Sequence, residues 1–235
     1  MELIFNKYES YADPQNDKIG NITSVCNNFS YNFSIGTYFL TGEIDSGAWS
    51  FVYSLLEENK PYKYPQNYPF RLTPPDIILN GEPVNINKIK ELTFHVGQYK
   101  IYGEKTFENI VKQMLKKSKI NYTFNDICEK FSVDEIFWKR KMYTMSSRIW
   151  RMSAAVGLAM NKNIFVLPWL SKARILDTDF FRLFRILNQE DVIVLVPCSD
   201  KIKIPADEKF NVVRMNSLFE LDYENMDREL EVDNI

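Results

Sequence analysis

The 235-residue sequence predicts an α/β fold built on a mixed, partly parallel sheet, and three observations carry that prediction. Two continuous apolar runs, Ile164-Phe165-Val166-Leu167 and Val192-Ile193-Val194-Leu195-Val196, have the composition of central strands covered on both faces. Segments of helical periodicity, residues 145–160 and 179–187, precede the first run and separate the two. A third strand, Thr37-Tyr38-Phe39-Leu40, leads through a glycine-bounded loop (residues 41–48) into a helix over 49–58 with Val52, Leu55 and Leu56 on its apolar face.

The other elements follow in order. Residues 29–40 alternate loosely, with Gly36 as a turn, and the N-terminal part is β-rich. The Pro/Tyr/Asn-rich stretch 61–75 breaks regular structure, and residues 76–84 read as a hairpin turning at Asn80-Gly81. Residues 107–138 are helical in pattern, through Ile110, Val111, Met114 and Leu115, then Ile127, Phe131 and Ile136. The helix over 145–160 is rich in small residues and stops near Asn161-Lys162-Asn163. Asp177 and Asp179 read as the cap and start of the helix at Phe180, and residues 211–215 as a late edge strand. The acidic tail 222–235 reads as loose, and the whole chain as one domain.

Composition narrows the function classes. The formal net charge is −2 and no basic stripe is present, which argues against a nucleic-acid partner. Cys26, Cys128 and Cys198 are odd in number and lack metal-like spacing, as expected of free thiols in a reducing compartment. His95 is the only histidine and sits in a strand pattern, so it reads as packed or surface-lying, and no metal site is predicted. The N-terminus lacks a signal-peptide pattern and no apolar run nears the ~20 residues that cross a bilayer, so a cytoplasmic protein is expected.

A set of segments carries a family resemblance. The loop Gly42-Glu43-Ile44-Asp45-Ser46-Gly47-Ala48-Trp49 stands between a strand and a helix and keeps two glycines at phosphate-loop spacing. Thr93-Phe94-His95-Val96-Gly97-Gln98 is a strand that ends in Gln98. Tyr102-Gly103-Glu104-Lys105-Thr106-Phe107-Glu108-Asn109-Ile110 follows, then Met145-Ser146-Ser147-Arg148-Ile149 before the small-residue helix. From about Phe29 to Val213 the chain resembles the nucleotide-binding subunit of an ATP-binding cassette (ABC) transporter. The resemblance implies a P-loop NTPase-like cassette, with a mixed-sheet core and a helical subdomain over about 104–158.

In that alignment Ala48 stands at the Walker A lysine and Trp49 at its Ser/Thr, while Ser50 supplies a hydroxyl only if the register slips by one residue. Gln98 occupies the Q-loop position, or is simply a polar residue ending a strand. Ser146, Ser147 and Arg148 stand in the signature segment, where a bulky Arg148 obstructs a glycine position although its charge suits phosphate. Pro168 and Trp169 replace the Walker B Asp and catalytic Glu, Ile175 the D-loop Asp, and Ser199 the switch histidine, with Asp200 kept. Trp49 and Trp169 read either as core aromatics or as plugs of an empty nucleotide pocket, and Tyr8 or Tyr11 is the candidate to stack on adenine. Phosphoryl transfer rests on positioning and charge stabilisation, so these losses imply a degenerate site without catalytic residues. ATP and Mg²⁺ are expected to bind weakly or not at all.

The partners implied are a transmembrane permease and a second, competent cassette (or a copy of this chain), with the protein peripheral on the inner face of the cell membrane. Two alternatives stand beside this reading: a nucleotide-binding protein with weak ATPase activity, and a soluble cassette-like regulatory or interaction protein.

Overall fold

A computed structural model describes residues 1–12, 24–42, 46–56, 76–97, 104–144, 148–170, 178–199 and 210–215. The chain opens with β1 (Glu2–Ala12), β2 (Ser24–Ser34) and β3 (Gly36–Thr41), followed by α1 (Ala48–Ser54). Next come β4 (Asp76–Leu79), β5 (Glu82–Val84), α2 (Ile86–Leu92) and β6 (Thr93–His95). Then follow α3 (Phe107–Ser118), α4 (Phe124–Lys130), α5 (Glu135–Trp138), a 3₁₀ turn (Met142–Thr144) and α6 (Ile149–Ala159). The last are β7 (Ile164–Val166), α7 (Thr178–Leu187), β8 (Ile193–Cys198) and β9 (Asn211–Arg214).

The strands form two sheets. One is antiparallel in the order β2-β1-β4-β5, and the other is parallel in the order β6-β7-β8-β3-β9. The apolar runs at 164–167 and 192–196 lie at the centre of the parallel sheet, where burial on both faces favours continuous aliphatic sequence. Their period-two alternation sorts side chains between two cores. Phe39, Phe165, Val194 and Val196 join the core shared with α3, α4, α6 and α7. Tyr38, Leu40, Ile164, Val166, Ile193 and Leu195 join the core shared with α1 and the antiparallel sheet.

Phe51 anchors α1 in the second core. It is fully buried and meets Phe5 and Tyr8 edge-on, with ring centroids at 5.0 and 5.4 Å. Phe29 lies 4.8 Å from the same ring, so the aromatics of the N-terminal strands are mainly core. Aromatic contacts of this kind add to their area burial.

The sequence reading merged residues 107–138 into one helical stretch, whereas the structure divides it. Lys119 and Ser132 take left-handed backbone angles (φ 58° and 50°), ending α3 and separating α4 from α5. Thr106 caps α3 by accepting from the Asn109 N–H, and Thr123 with Asp126 forms a capping box on α4. Helical periodicity persists across such breaks, so the caps, and not the pattern, set the boundaries. The hairpin at Asn80–Gly81 and the edge position of β9 agree with the sequence reading. Two registers slip between β1 and β2, once beside Lys7 and once beside Asn28, and both residues have left-handed angles. These two bulges offset each other. Asp177 lies outside the described residues. No helix among the described residues is long and apolar enough to cross a membrane.

Candidate functional site

The carboxyl ends of β3, β7 and β8 converge at one rim of the parallel sheet, the place where open α/β sheets bind ligands. Backbone hydrogen bonds fix the convergence. Gly42 N–H donates to the Cys198 carbonyl at 3.2 Å, Leu167 N–H to Leu195 at 3.0 Å, and Leu170 N–H to Pro197 at 3.0 Å. Met215 N–H, just after β9, donates to the Thr41 carbonyl at 2.8 Å. The rim therefore gathers the described part of the 42–50 loop, the Pro168–Trp169 segment and Ser199. Glu43, Ile44, Asp45, Gln98, Ser146 and Ser147 lie outside the described residues.

Gly42 tolerates no side chain. A Cβ built there would lie 2.4 Å from Ser46 Oγ and 2.7 Å from the Met215 carbonyl oxygen, because Ser46 folds back onto it. Gly47 caps α1 in a left-handed conformation and accepts from the Phe51 N–H at 2.9 Å, so the helix begins at Ala48. Ala48 is 0 % exposed and belongs to the apolar core that includes Leu40, Phe51 and Leu195. Trp49 is half-buried and stacks on Tyr53 one turn on, with centroids 5.4 Å apart.

Ser50 corrects one expectation. A slipped register would turn its hydroxyl toward phosphate or metal, but the residue is 1 % exposed. Its Oγ donates to the Gly47 carbonyl at 3.0 Å and accepts from Ser10 Oγ at 3.4 Å. The hydroxyl is turned into the fold, where it ties the first turn of α1 to its cap and to β1.

The other rim positions likewise hold packing groups. Pro168 and Trp169 are half-buried, and Trp169 rests against the core that contains Ala48 and Val166. Neither offers a carboxylate. Ser199 follows Cys198, whose thiol burial pushes up to about 12. Tyr8 is not an exposed stacking platform: it is buried, and its hydroxyl is 2.7 Å from Ser54 Oγ. The side chain of Tyr11 lies outside the described residues. A magnesium triphosphate needs a cation, a metal-binding hydroxyl and a carboxylate at this rim. The described residues at the matching positions supply none of the three, so they do not fit that group.

At the start of α6, Arg148 is engaged by its neighbours. Its guanidinium stacks over the Phe137 ring at 4.1 Å and pairs with Asp134 at 3.1 Å. The charge expected to suit phosphate is held by α5 and its cap.

A feature that the sequence reading missed lies on the far side of the rim. Gly97, two residues past β6 and just before Gln98, has φ +88° and donates its N–H to Ser153 Oγ at 2.8 Å. A Cβ there would fall 2.2 Å from the Trp150 ring, which in turn packs against Phe180. Trp150 and Ser153 thus join the end of β6 to α6. A Gly just after an apolar strand, and a Trp and Ser three apart on a helix, were the available signals, but nothing local links them.

An antiparallel sheet, a parallel sheet that carries a strand–glycine loop–helix unit, and a helical layer on one face together define the fold of ABC transporter ATP-binding cassettes. Comparison with solved structures agrees. The chain matches a protein from Pyrococcus furiosus described as an ABC transporter ATP-binding protein, with TM-score 0.57, 18% identity and coverage of 92% of this chain and 98% of that one. It matches CbiO1 of Clostridium perfringens, part of the ABC transporter complex CbiONQ, with TM-score 0.59, 11% identity and coverage of 98% and 94%. A bacterial Atm1-family ABC exporter solved with ATP bound matches with TM-score 0.56 and 12% identity, over 95% of this chain and 40% of that one. The sequence matches no protein-family model and no curated protein.

Proposed function

We propose that this chain is a catalytically degenerate ABC cassette that serves as a structural or regulatory partner of a membrane permease and of a cassette that hydrolyses ATP. It would act as one unit, with residues 104–158 as its helical arm, at the inner face of the cell membrane. The observation that carries the reading is Ala48, fully buried in an apolar core at the first position of α1, where a working loop needs a lysine at the phosphates. Pro168 and Trp169 at the end of β7 support it, since neither can organise a metal or polarise a water. The role left to such a chain is mechanical: its core and helical layer persist while the chemistry comes from the partner. A permease served by two cassettes of this type would have no source of power, so a competent second cassette is part of the proposal.

The test has two arms. A cassette that binds Mg·ATP gains about 2.7 kcal/mol at a ligand concentration 100 times Kd, enough to raise its melting temperature clearly. The purified chain is expected to melt at the same temperature with and without Mg·ATP, and a magnesium-dependent turnover by the isolated chain would sink the proposal. Affinity purification from gently solubilised cells is expected to recover a membrane protein and a second cassette with intact Walker residues. Recovery of the chain alone would favour a soluble role.

A further inference from the structure

Helix α3 packs one face into the molecule and turns the other to solvent. Phe107, Ile110 and Val111 are buried, and Met114 and Leu115 pack against the same core. With these residues fixed inward, the 3.6-residue period sends Lys112 and Lys116 outward, with Lys117 on the flank. All three are exposed, as are Lys105 just before the helix and Lys119 at its end. We propose that this lysine face of α3 docks on an anionic lipid surface, giving the chain a direct contact with the membrane beside its permease.

Charge is separated along the chain. Residues 105–119 carry five lysines and one acid, Glu108, a net charge of +4 within a chain of formal net charge −2, so the remaining residues stand at −6. An anionic surface repels the body of such a molecule and attracts α3, so the field turns the lysine face toward the lipid. The lysines form no run in the sequence, and the helix gathers them. The helix dipole accounts for Lys116 and Lys117 in the last turn, but not for Lys105 and Lys112.

The chemistry of the face selects the partner. Its charges are ammonium groups on flexible stems, which suit a fluid array of headgroups, whereas a guanidinium fork suits one fixed oxyanion. Lys105 Nζ donates to Gln113 Oε1 at 3.2 Å, which draws it over the same face, and Lys112 pairs with Glu108 at 2.6 Å. The outer positions Asn109, Lys112, Gln113 and Lys116 offer no aromatic on which a base could stack, which sets single-stranded nucleic acid aside. Each lysine near an anionic bilayer strengthens attachment roughly fivefold. A handful of them gives a weak, reversible hold that needs a second anchor. The permease of the proposed function is that anchor, so the cellular setting rests on that reading, while the lysine face itself does not.

Co-sedimentation of the full chain with vesicles tests the surface, using phosphatidylcholine alone or with about one-third phosphatidylglycerol. Binding to the anionic vesicles is expected at about 0.1 M salt and is lost near 1 M, as the Debye length falls from about 10 Å to about 3 Å. Lys116→Glu combined with Lys117→Glu is expected to weaken it at least tenfold. The same reversal at Lys88 and Lys90 of α2 is the control. That helix packs through Ile89 into the core on the opposite face of the parallel sheet, and its reversal should have a much smaller effect. No binding to anionic vesicles, equal binding to neutral ones, or equal losses from the two reversals would each overturn the proposal. Tighter binding to polyglutamate or duplex DNA than to the vesicles would also overturn it, in favour of a macromolecular polyanion. The vesicles hold no permease, so failure here leaves the proposed cassette role standing, and failure to recover a permease from cells leaves the vesicle result standing.

Discussion

Two glycine corners of the parallel sheet, Gly42 after β3 and Gly97 after β6, are built alike and finished differently. At both, a neighbouring side chain occupies the space of a missing Cβ: Ser46 at Gly42, the Trp150 ring at Gly97. At Gly97 the backbone N–H is paired with Ser153 and the ring packs onward against Phe180. At Gly42 the occupying hydroxyl is unpaired among the described residues, and the adjoining helix starts on a buried alanine. One corner is a closed joint between a strand and the helical layer. The other leads into a helix that starts on the left-handed Gly47 and the buried Ala48. Close packing holds both corners in place, but only the first ties its backbone N–H to the helical layer.

The joint should be the more sensitive corner. Gly97→Ala combines a left-handed backbone angle, costing a β-carbon about 1–2 kcal/mol, with overpacking against Trp150, typically 1–3 kcal/mol. A loss of about 3 kcal/mol is expected in urea unfolding. A loss under about 1 kcal/mol would mean that Trp150 moves freely and that the joint is not rigid.

A lysine placed at position 48 probes the other corner. Ala48→Lys places an ammonium at a site with no exposure, inside an apolar core and with Trp49 at the next position. The long side chain can reach partly toward the rim, so a loss of about 2 kcal/mol is expected. No ATP-dependent rise in melting temperature should accompany it, because the hydroxyl and carboxylate would still be missing. If Ala48→Lys alone restored ATP binding, the two corners would differ by one residue rather than by a whole constellation.

The sequence made the strands legible more readily than their neighbours. The apolar runs at 164–167 and 192–196 announced central parallel strands because burial on both faces leaves no room for polar alternation. The step from β3 into α1 was legible because an apolar strand, a glycine-bounded segment and an amphipathic helix are local signals. The fate of Ser50 was not, since its acceptor is a backbone carbonyl and its second partner, Ser10, is forty residues away. The joint at Gly97 was hidden for the same reason: Trp150 and Ser153 meet it only after the helical layer folds onto the sheet. The partners of Arg148 were not legible either, because Asp134 and Phe137 belong to a short helix and its cap, inside a stretch that periodicity reads only as helical.

Arg148 offers a smaller test of where the helical layer meets the rim. Its ring contact and ion pair are both partly exposed, and such interactions contribute about 1 kcal/mol or less. Arg148→Ala is expected to cost that much, and Arg148→Lys to recover only part of it, because an ammonium cannot stack as a planar guanidinium does. The salt dependence separates the two contributions. High salt should diminish the ion pair and leave the stacking on Phe137 largely in place. A loss above 2 kcal/mol would show that Arg148 holds α5 against α6 more firmly than these contacts imply.

The smallest effect at neutral pH concerns the thiols, and it sharpens the comparison at the rim itself. Cys198 ends β8 beside the Gly42 amide, and Cys26 lines a cavity between β2 and β9; burial holds both thiols, like that of Cys128, at about 12 against an ordinary 9.0. A proton is therefore bound more tightly in the folded chain. Below pH 9 both states keep it and stability is indifferent to pH on this account. As pH rises from 9 toward 12 the unfolded chain releases its thiol protons first, and the stability contributed by the buried neutral thiols is lost progressively. The folded chain should resist thiol-reactive reagents at pH 8, with labelling limited by unfolding. Cys26 is the informative exception, because it lines an open cavity: if it alone reacts quickly in the native state, solvent enters there while the corner at Cys198 stays closed.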